Sequence, residues 1–576
     1  MPPDVKELNF DHLPRYQERK FLPSSVDLTD HSQAALLYRM LLDRPIHSRE
    51  ELEQWLLDRS ELETAIDQQG SVLYIRMTCQ TDDQKRSEDY KKFIETVVPA
   101  IKPFDDQLNH KYVTERRKFI LDPEKYAIYD KTVESDLSLF RAENVPLQTE
   151  IALLSQEYQA TVGAMTVSFQ GKEYTMPQMT KFLFEPSREI RESAWRANAQ
   201  RRLKDRDKLD ELFEKMLVLR DTMARNAGCK DFIEYQFRAY HRFDYTPQDC
   251  KQYHKTIEKI VVPVWKKILA RRAEHMQLKD LRPWDTSVDP LGREALRPFD
   301  DVQKLITGVE KIFLRMDADL GKQFSEMARL GLLDLASRKG KAPGGYQSVL
   351  AESRKPFIFM NAVGLDDDVR TLLHEAGHAF HAIASAHHPL FAYRHAPMEF
   401  CEVASMSMEL LGNDFLTVFY SKEDLSRSLT MHLEEIVYLL AWVATIDAFQ
   451  QWIYENPKHT RLQRSTAWVE IHNRFGARSI DWSGLSAEQE AVWHRQLHIF
   501  EVPFYYIEYG IAQLGALQLW LRAKKDQHAA LADYRKALSM GRSKLLPQLF
   551  QAAGIRFDFS EETIAPLMDA VQRELR

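Results

Sequence analysis

The chain has 576 residues, 44% hydrophobic and 28% charged, with only 20 glycines and a formal net charge of −7. That balance argues against a nucleic-acid partner, which needs a basic face to displace counterions from phosphates, and scarce glycine points to a mostly helical protein. Four cysteines with no C-x-x-C spacing exclude a zinc knuckle and a redox pair, and are too few for a disulfide framework, as in a reducing compartment.

The first twenty residues, MPPDVKELNFDHLPRYQERK, lack the apolar core of a signal peptide, so a cytoplasmic location is expected. From Leu36 to Gly163 one amphipathic helix follows another. The stretches Gln84–Val98 and Leu147–Thr161 are each bounded by a proline. Residues 165–169 and 172–175 alternate like a small hairpin, with Gly171 able to take the positive φ of the turn. Helical patterning resumes at Ser187 and runs to about Ala336, apart from a loop over Leu281–Pro298.

The stretch Lys339-Gly-Lys-Ala-Pro-Gly-Gly-Tyr346 must be a loop. Pro356–Met360 looks like a short buried or edge strand, and Asn361–Asp368 offers N-cap acids to the next helix. The most apolar helical stretch, Ile436–Ile446, is shorter than the ~20 residues of a membrane span and is followed by Asp447, so no membrane association is expected. Two regions are anticipated: an N-terminal helical region over 1–185 with the hairpin near 165–175, and a catalytic region over 186–576.

Residues 369–385, VRTLLHEAGHAFHAIAS, place Val369, Leu372, Leu373, Ala376, Phe380 and Ile383 on one apolar helical stripe. On the other side His374, His378 and His381 fall at i, i+4 and i+7. Two imidazoles one turn apart can aim their nitrogens at one ion, at the ~2.0–2.1 Å that zinc needs. Glu375 sits beside them as a base, and Gly377 would leave the helix surface low for a substrate. A chance H-E-x-x-H is expected in roughly 4% of chains this rich in histidine. A catalytic zinc has three protein ligands and an open position. No H-x-x-G-x-x-H continuation follows, so the third ligand is sought on the helix beginning at Met398. Spacing alone leaves Glu399 and Glu402 open, with Glu409 suited to hydrogen-bond a ligating histidine.

HEAGHAFH, followed by FCEVASMSMELL, resembles the thimet-oligopeptidase and oligoendopeptidase F family of zinc metallopeptidases. KGKAPGGY, PFIFMN and HIFEVPFYYIEYGIAQ resemble it too, in particular its bacterial oligoendopeptidase F and Pz-peptidase members. The resemblance implies one zinc per chain, held by His374, His378 and Glu402. It implies a mainly α, zincin-type fold whose two helical halves enclose a deep substrate channel, with a small β-sheet beside the zinc. It also implies that His498 and the tyrosines after it, Tyr509 and Tyr506 above all, stabilise the transition state. The expected activity is hydrolysis of internal bonds in short, unfolded peptides, with zinc-bound water as nucleophile and Glu375 as general base. Gly344, Gly345, Tyr346, Phe359 and Tyr505 are candidate substrate contacts, the first three as a flap, and the edge of Phe357–Met360 as a rail for peptide backbone. The alternatives are a dipeptidyl-carboxypeptidase, with Arg394 or a residue near Tyr509 as candidate for the terminal carboxylate, and a catalytically silent metal-binding relative.

Overall fold

A computed structural model describes residues 8–575. Met1–Val5, Lys6 and Glu7 at the start of the expected N-terminal region, with Arg576 at the end of the catalytic one, lie outside the described residues. The protein is mostly helical, with one two-stranded and one three-stranded sheet. The chain divides into two compact units. The first takes residues 1–137, 297–425 and 515–557, and the second takes 138–296, 426–514 and 558–576. The boundary expected at 185 therefore falls inside the second unit, because the units are assembled from segments far apart in sequence.

In the first unit, helices Arg49–Cys79, Val98–Arg116 and Pro123–Leu139 close around Trp55, Tyr112 and Tyr126, and the same apolar cluster takes in Leu390 and Tyr393. Helix Gln84–Lys92 does not stop at Pro99. It continues through a π turn at Phe93–Val97 into Val98–Arg116, the locally altered hydrogen-bond ladder just before Pro99 accommodating a residue that has no N–H to give.

The second unit holds the hairpin of β1 (Thr166–Phe169) and β2 (Lys172–Thr175), with Gln170 at φ 50° and Gly171 at φ 75° as an I′-type turn requires. It also holds most of the 34-residue helix Lys422–Glu455, far longer than the apolar stretch Ile436–Ile446 suggested. By length and composition that helix could cross a membrane, and 61% of its most apolar window is buried inside the protein. Along it Asp447 pairs with His254 at 2.7 Å, as in a core helix.

Helical pattern was expected as far as Ala336, yet helix Ala318–Arg329 ends first, at Gly331 with φ 72°. The chain then enters β3 (Leu333–Ala336). Next come β4 (Tyr346–Leu350) and β5 (Lys355–Ala362), in the order β3-β5-β4, with β5 parallel to β3 and antiparallel to β4. The run Phe357–Met360 is thus the central strand, every residue at most 1% exposed. Its apolar, unalternating pattern is that of a strand covered on both faces. It has no free edge to offer a substrate; the edge strands are β3 and β4.

Candidate metal centre

The helix Asp366–Ser385 begins where the Asp368 carboxylate accepts the backbone N–H groups of Val363, Gly364 and Leu365 at 2.8–2.9 Å. It packs its buried stripe of Val369, Leu372, Leu373, Ala376 and Phe380 into the first unit. Against it lies helix Met398–Leu411. Gly377 faces that neighbour rather than a substrate: a Cβ there would lie 2.5 Å from the Ala404 carbonyl and 2.6 Å from Ser405 Cα. The missing side chain lets the two helices touch, and that closeness brings Glu402 up to the histidines.

His374 Nε2 and His378 Nε2 stand 3.4 and 3.6 Å from Glu402 Oε2. The three ligand atoms lie within 4.8 Å of one another. Bonds of ~2.0–2.1 Å in a tetrahedron separate donors by about 3.4 Å, so the donor set fits a zinc ion. His374 Nδ1 donates to Glu409 Oε1 at 2.7 Å, which fixes the ring and leaves Nε2 facing Glu402. Ser405 donates its hydroxyl to Glu402 Oε2 at 3.0 Å and holds that carboxylate in place. Glu399 is buried on the same helix but outside this group.

His381 does not join it either. It is 4% exposed, its ring meets Phe400 edge-on, and its Nε2 has no hydrogen-bond partner among the described residues. Three residues past His378 it has rotated toward the core side of the helix. Burial pushes it down to about 3, a neutral core histidine.

The charges divide sharply. Burial holds His378 down at about 4. In His374 burial works the same way, but hydrogen bonds to Glu402 and Glu409 outweigh it and raise the imidazole well above its ordinary range. Burial would raise Glu402, yet His378, His374 and Ser405 bring it to about 2. Glu375, 7% exposed, is pushed up to about 7 by burial. Its Oε2 has no hydrogen-bond partner among the described residues, while the backbone N–H of Gln347 in β4 reaches the carboxylate.

The expected flap is tethered. Gly344 and Gly345 are exposed, Gly344 at φ 90°, but Asn361 donates to the carbonyls of Ala342 and Gly344 at 2.8 and 2.9 Å. The fully buried ammonium of Lys341 donates to Asp334 and to the Ala336 carbonyl. Tyr346 opens β4, stacks on Phe359 at 4.7 Å and shares a hydrogen bond with Thr78. Phe359 itself is 0% exposed, a core ring that cannot contact a peptide.

His498, Tyr505, Tyr506 and Tyr509 meet in the second unit. The His498 ring lies 4.8 Å from Tyr506, 5.9 Å from Tyr509 and 6.0 Å from Tyr505. Only Tyr509 is helical, because helix Ile507–Ala523 starts one residue after Tyr506. The bend before it puts Phe504 at φ 66°, held by its N–H on Gln450 at 2.8 Å and by Arg242 on its carbonyl at 2.6 Å. Arg220 donates to the carbonyls of Ile499 and Phe500 and anchors the other end. Burial keeps the Tyr506 hydroxyl well above the usual phenol range, hence protonated.

Two imidazoles one turn apart and a carboxylate from the following helix, with the buried acid Glu375 beside them, form a donor set that could hold a metal ion, of the kind metal-dependent hydrolases use. The model of peptidase family M3 matches residues 182–568, and that of the peptidase M3 N-terminal domain matches 26–140. The chain belongs to peptidase family M3.

It is 23% identical over 314 residues to oligopeptidase PepF of Bacillus subtilis (strain 168), covering 52% of this chain and 44% of that protein. It is 22% identical over 263 residues to the chromosomal oligoendopeptidase F of Lactococcus lactis subsp. cremoris, covering 42% and 41%. The alignments thus span less than half the length of these curated relatives. Among solved structures, Pz peptidase A with an inhibitor superposes with a TM-score of 0.87 at 26% identity, covering 96% of this chain and 99% of that one. A crystal structure described as oligoendopeptidase F gives 0.87 at 27% identity, covering 97% and 99%.

Proposed function

We propose that the chain is a zinc-dependent oligoendopeptidase, one zinc per protein, that cleaves internal bonds of short, unfolded peptides in the cytoplasm. The observation that carries this reading is the donor set of His374, His378 and Glu402 beside the buried, unpartnered oxygen of Glu375. The names of the relatives agree with it. A zinc ion held there would supply a Lewis acid that acidifies water and polarises the scissile carbonyl.

Glu375, buried beside the donor set with one oxygen unpartnered among the described residues, is placed to take a proton from the attacking water and pass it to the leaving amine. His498, Tyr506 and Tyr509 offer ring N–H and phenolic O–H donors to a developing oxyanion. Peptide backbone would pair along the open edge of β4, by strand addition, with Tyr505 a further contact.

For the dipeptidyl-carboxypeptidase alternative, Arg394 is already engaged within its own surroundings, donating Nε to the His388 carbonyl, Nη1 to Thr64 and Nη2 to the Pro389 carbonyl, which speaks against it as the group for a peptide terminus. Against a silent relative stands Glu375 itself, which metal binding alone does not require.

The test is Glu375→Gln. It should keep one zinc per chain while kcat falls by about 10²–10⁴-fold; a variant of undiminished turnover removes the mechanism. Products from an end-blocked peptide should show internal cleavage, and dialysis against a strong chelator should abolish it.

A further inference from the structure

Trp442 and Gln496 stand 54 residues apart in sequence and meet beside His498. The indole Nε1 of Trp442 lies 3.1 Å from Gln496 Oε1, and Gln496 Nε2 lies 2.7 Å from His498 Nδ1. An indole nitrogen only donates, so the amide atom facing it must be the carbonyl oxygen. The amide nitrogen is then compelled to face the imidazole, and it too only donates. His498 Nδ1 must therefore accept, which disfavours a proton on it and places the ring hydrogen on Nε2.

The start of this relay is fixed by packing. Trp442 is 7% exposed and is held between Tyr438, stacked at 6.2 Å, the edges of Trp468 and His472, each at 5.9 Å, and the Arg495 guanidinium at 5.1 Å. Burial drives His472 down to about 3, so that wall is uncharged. The indole cannot turn its N–H away, and a flipped amide would set its own N–H against the indole donor and its carbonyl oxygen against the Nδ1 lone pair. Tyr506 packs edge-on against the same His498 ring, 4.8 Å between centroids.

We propose that Gln496, oriented by Trp442, is a positioning residue that sets His498 in its Nε2–H form and so presents a hydrogen-bond donor to substrate. The assignment rests on the peptidase reading for its purpose, though not for its geometry. Glutamate at 496 can accept from the indole but has nothing to give Nδ1, so it calls the ring proton to that nitrogen.

The experiment is neutron diffraction from deuterium-exchanged crystals of the zinc-loaded protein and of its Gln496→Glu variant, with kinetics on Gln496→Leu. The expected result is a deuteron on Nε2 and none on Nδ1 in the wild type, and a deuteron on Nδ1 in Gln496→Glu. Gln496→Leu should still fold and melt cooperatively, a few degrees lower for the orphaned indole N–H, keep KM within about twofold and lose about tenfold or more in kcat, up to the ~10²–10³ of a lost donor. A wild-type deuteron on Nδ1, or a bare Nδ1 in Gln496→Glu, overturns the assignment. The expected deuterons in a protein that cleaves no peptide would uphold it and defeat the peptidase reading instead.

Discussion

Glu402 lies within reach of two imidazoles, and the three groups hold opposite charge preferences, with the carboxylate near 2, His378 near 4 and His374 raised. A cation that takes all three donors replaces the proton that His374 shares with its acids. Loss of one donor should therefore be read first in metal affinity. Glu402→Ala should lose stoichiometric zinc in a competition titration, Glu399→Ala should retain it, and Glu409→Ala should bind about 10–100-fold more weakly through its histidine; tight zinc in Glu402→Ala would reassign the third ligand. Away from the centre, burial raises the Asp105 carboxyl to about 6, with Glu63 and Asp136 adding repulsion against Arg59 and the Tyr38 hydroxyl. A carboxyl raised on folding favours the native state below its unfolded value near 3.8, and that contribution is lost as pH climbs through about 6. Asp105→Asn should match the wild-type melting temperature near pH 4 and exceed it by about 2 °C at pH 8; equal melting at both pH values would refute the assignment. Residue spacing made the two histidines legible, since i and i+4 fix a shared helical face. It could not separate Glu399 from Glu402, which differ in what the helix packs against. Nor could it join Trp442 to Gln496, whose meeting depends on the fold of the second unit.

Between helices, the closest contact in the metal centre is set by an absence. The sequence suggested that Gly377 keeps a path open for substrate, whereas the structure uses it to seat Asp366–Ser385 on Ala404 and Ser405. The period of the helix names the face but not its neighbour, so that distinction was invisible in one dimension. Gly377→Ala should force the helices apart, cost about 1–3 kcal/mol as overpacking does, and weaken zinc binding without touching a ligand. A thermal melt and a zinc titration that both match the wild type would show the contact to be softer than its 2.5 Å approach implies. The sheet teaches the same limit. Phe357–Met360 was legible as a strand from its apolar run, but strand order needs partners, and Tyr346–Leu350, half-buried and polar at Gln347 and Ser348, was hidden in the shadow of the glycine loop before it. Strand pairing then put β5 in the middle, with β3 and β4 as the edges.

At the scale of the molecule, the helical character and a possible metal site were legible, while the assembly of compact units from segments far apart in sequence was not. A cut at 185 looks natural in sequence because the hairpin and its loop precede a long helical run. The first unit nevertheless draws on residues 1–137 and 297–425 together. Leu390 and Tyr393, twelve and fifteen residues beyond His378, complete the apolar cluster built on Trp55, Leu56, Tyr112 and Tyr126. The Tyr393 hydroxyl donates to the Lys125 carbonyl at 2.7 Å and accepts the Tyr129 N–H at 3.2 Å. On the sheet side, Thr78 shares a hydrogen bond with Tyr346 and its carbonyl accepts the Ala342 N–H at 2.8 Å. A chain beginning at residue 186 would keep every metal ligand yet strip these partners from the segment that carries them, exposing large apolar side chains and orphaned backbone groups at once. It should bind the dye ANS, show no sharp melting transition and fail to hold stoichiometric zinc, whereas the full chain does all three in the opposite sense. A truncated chain that melts cooperatively with zinc bound would mean that residues 1–185 fold as a separate body, and that the contacts around Tyr393 contribute little to the metal centre.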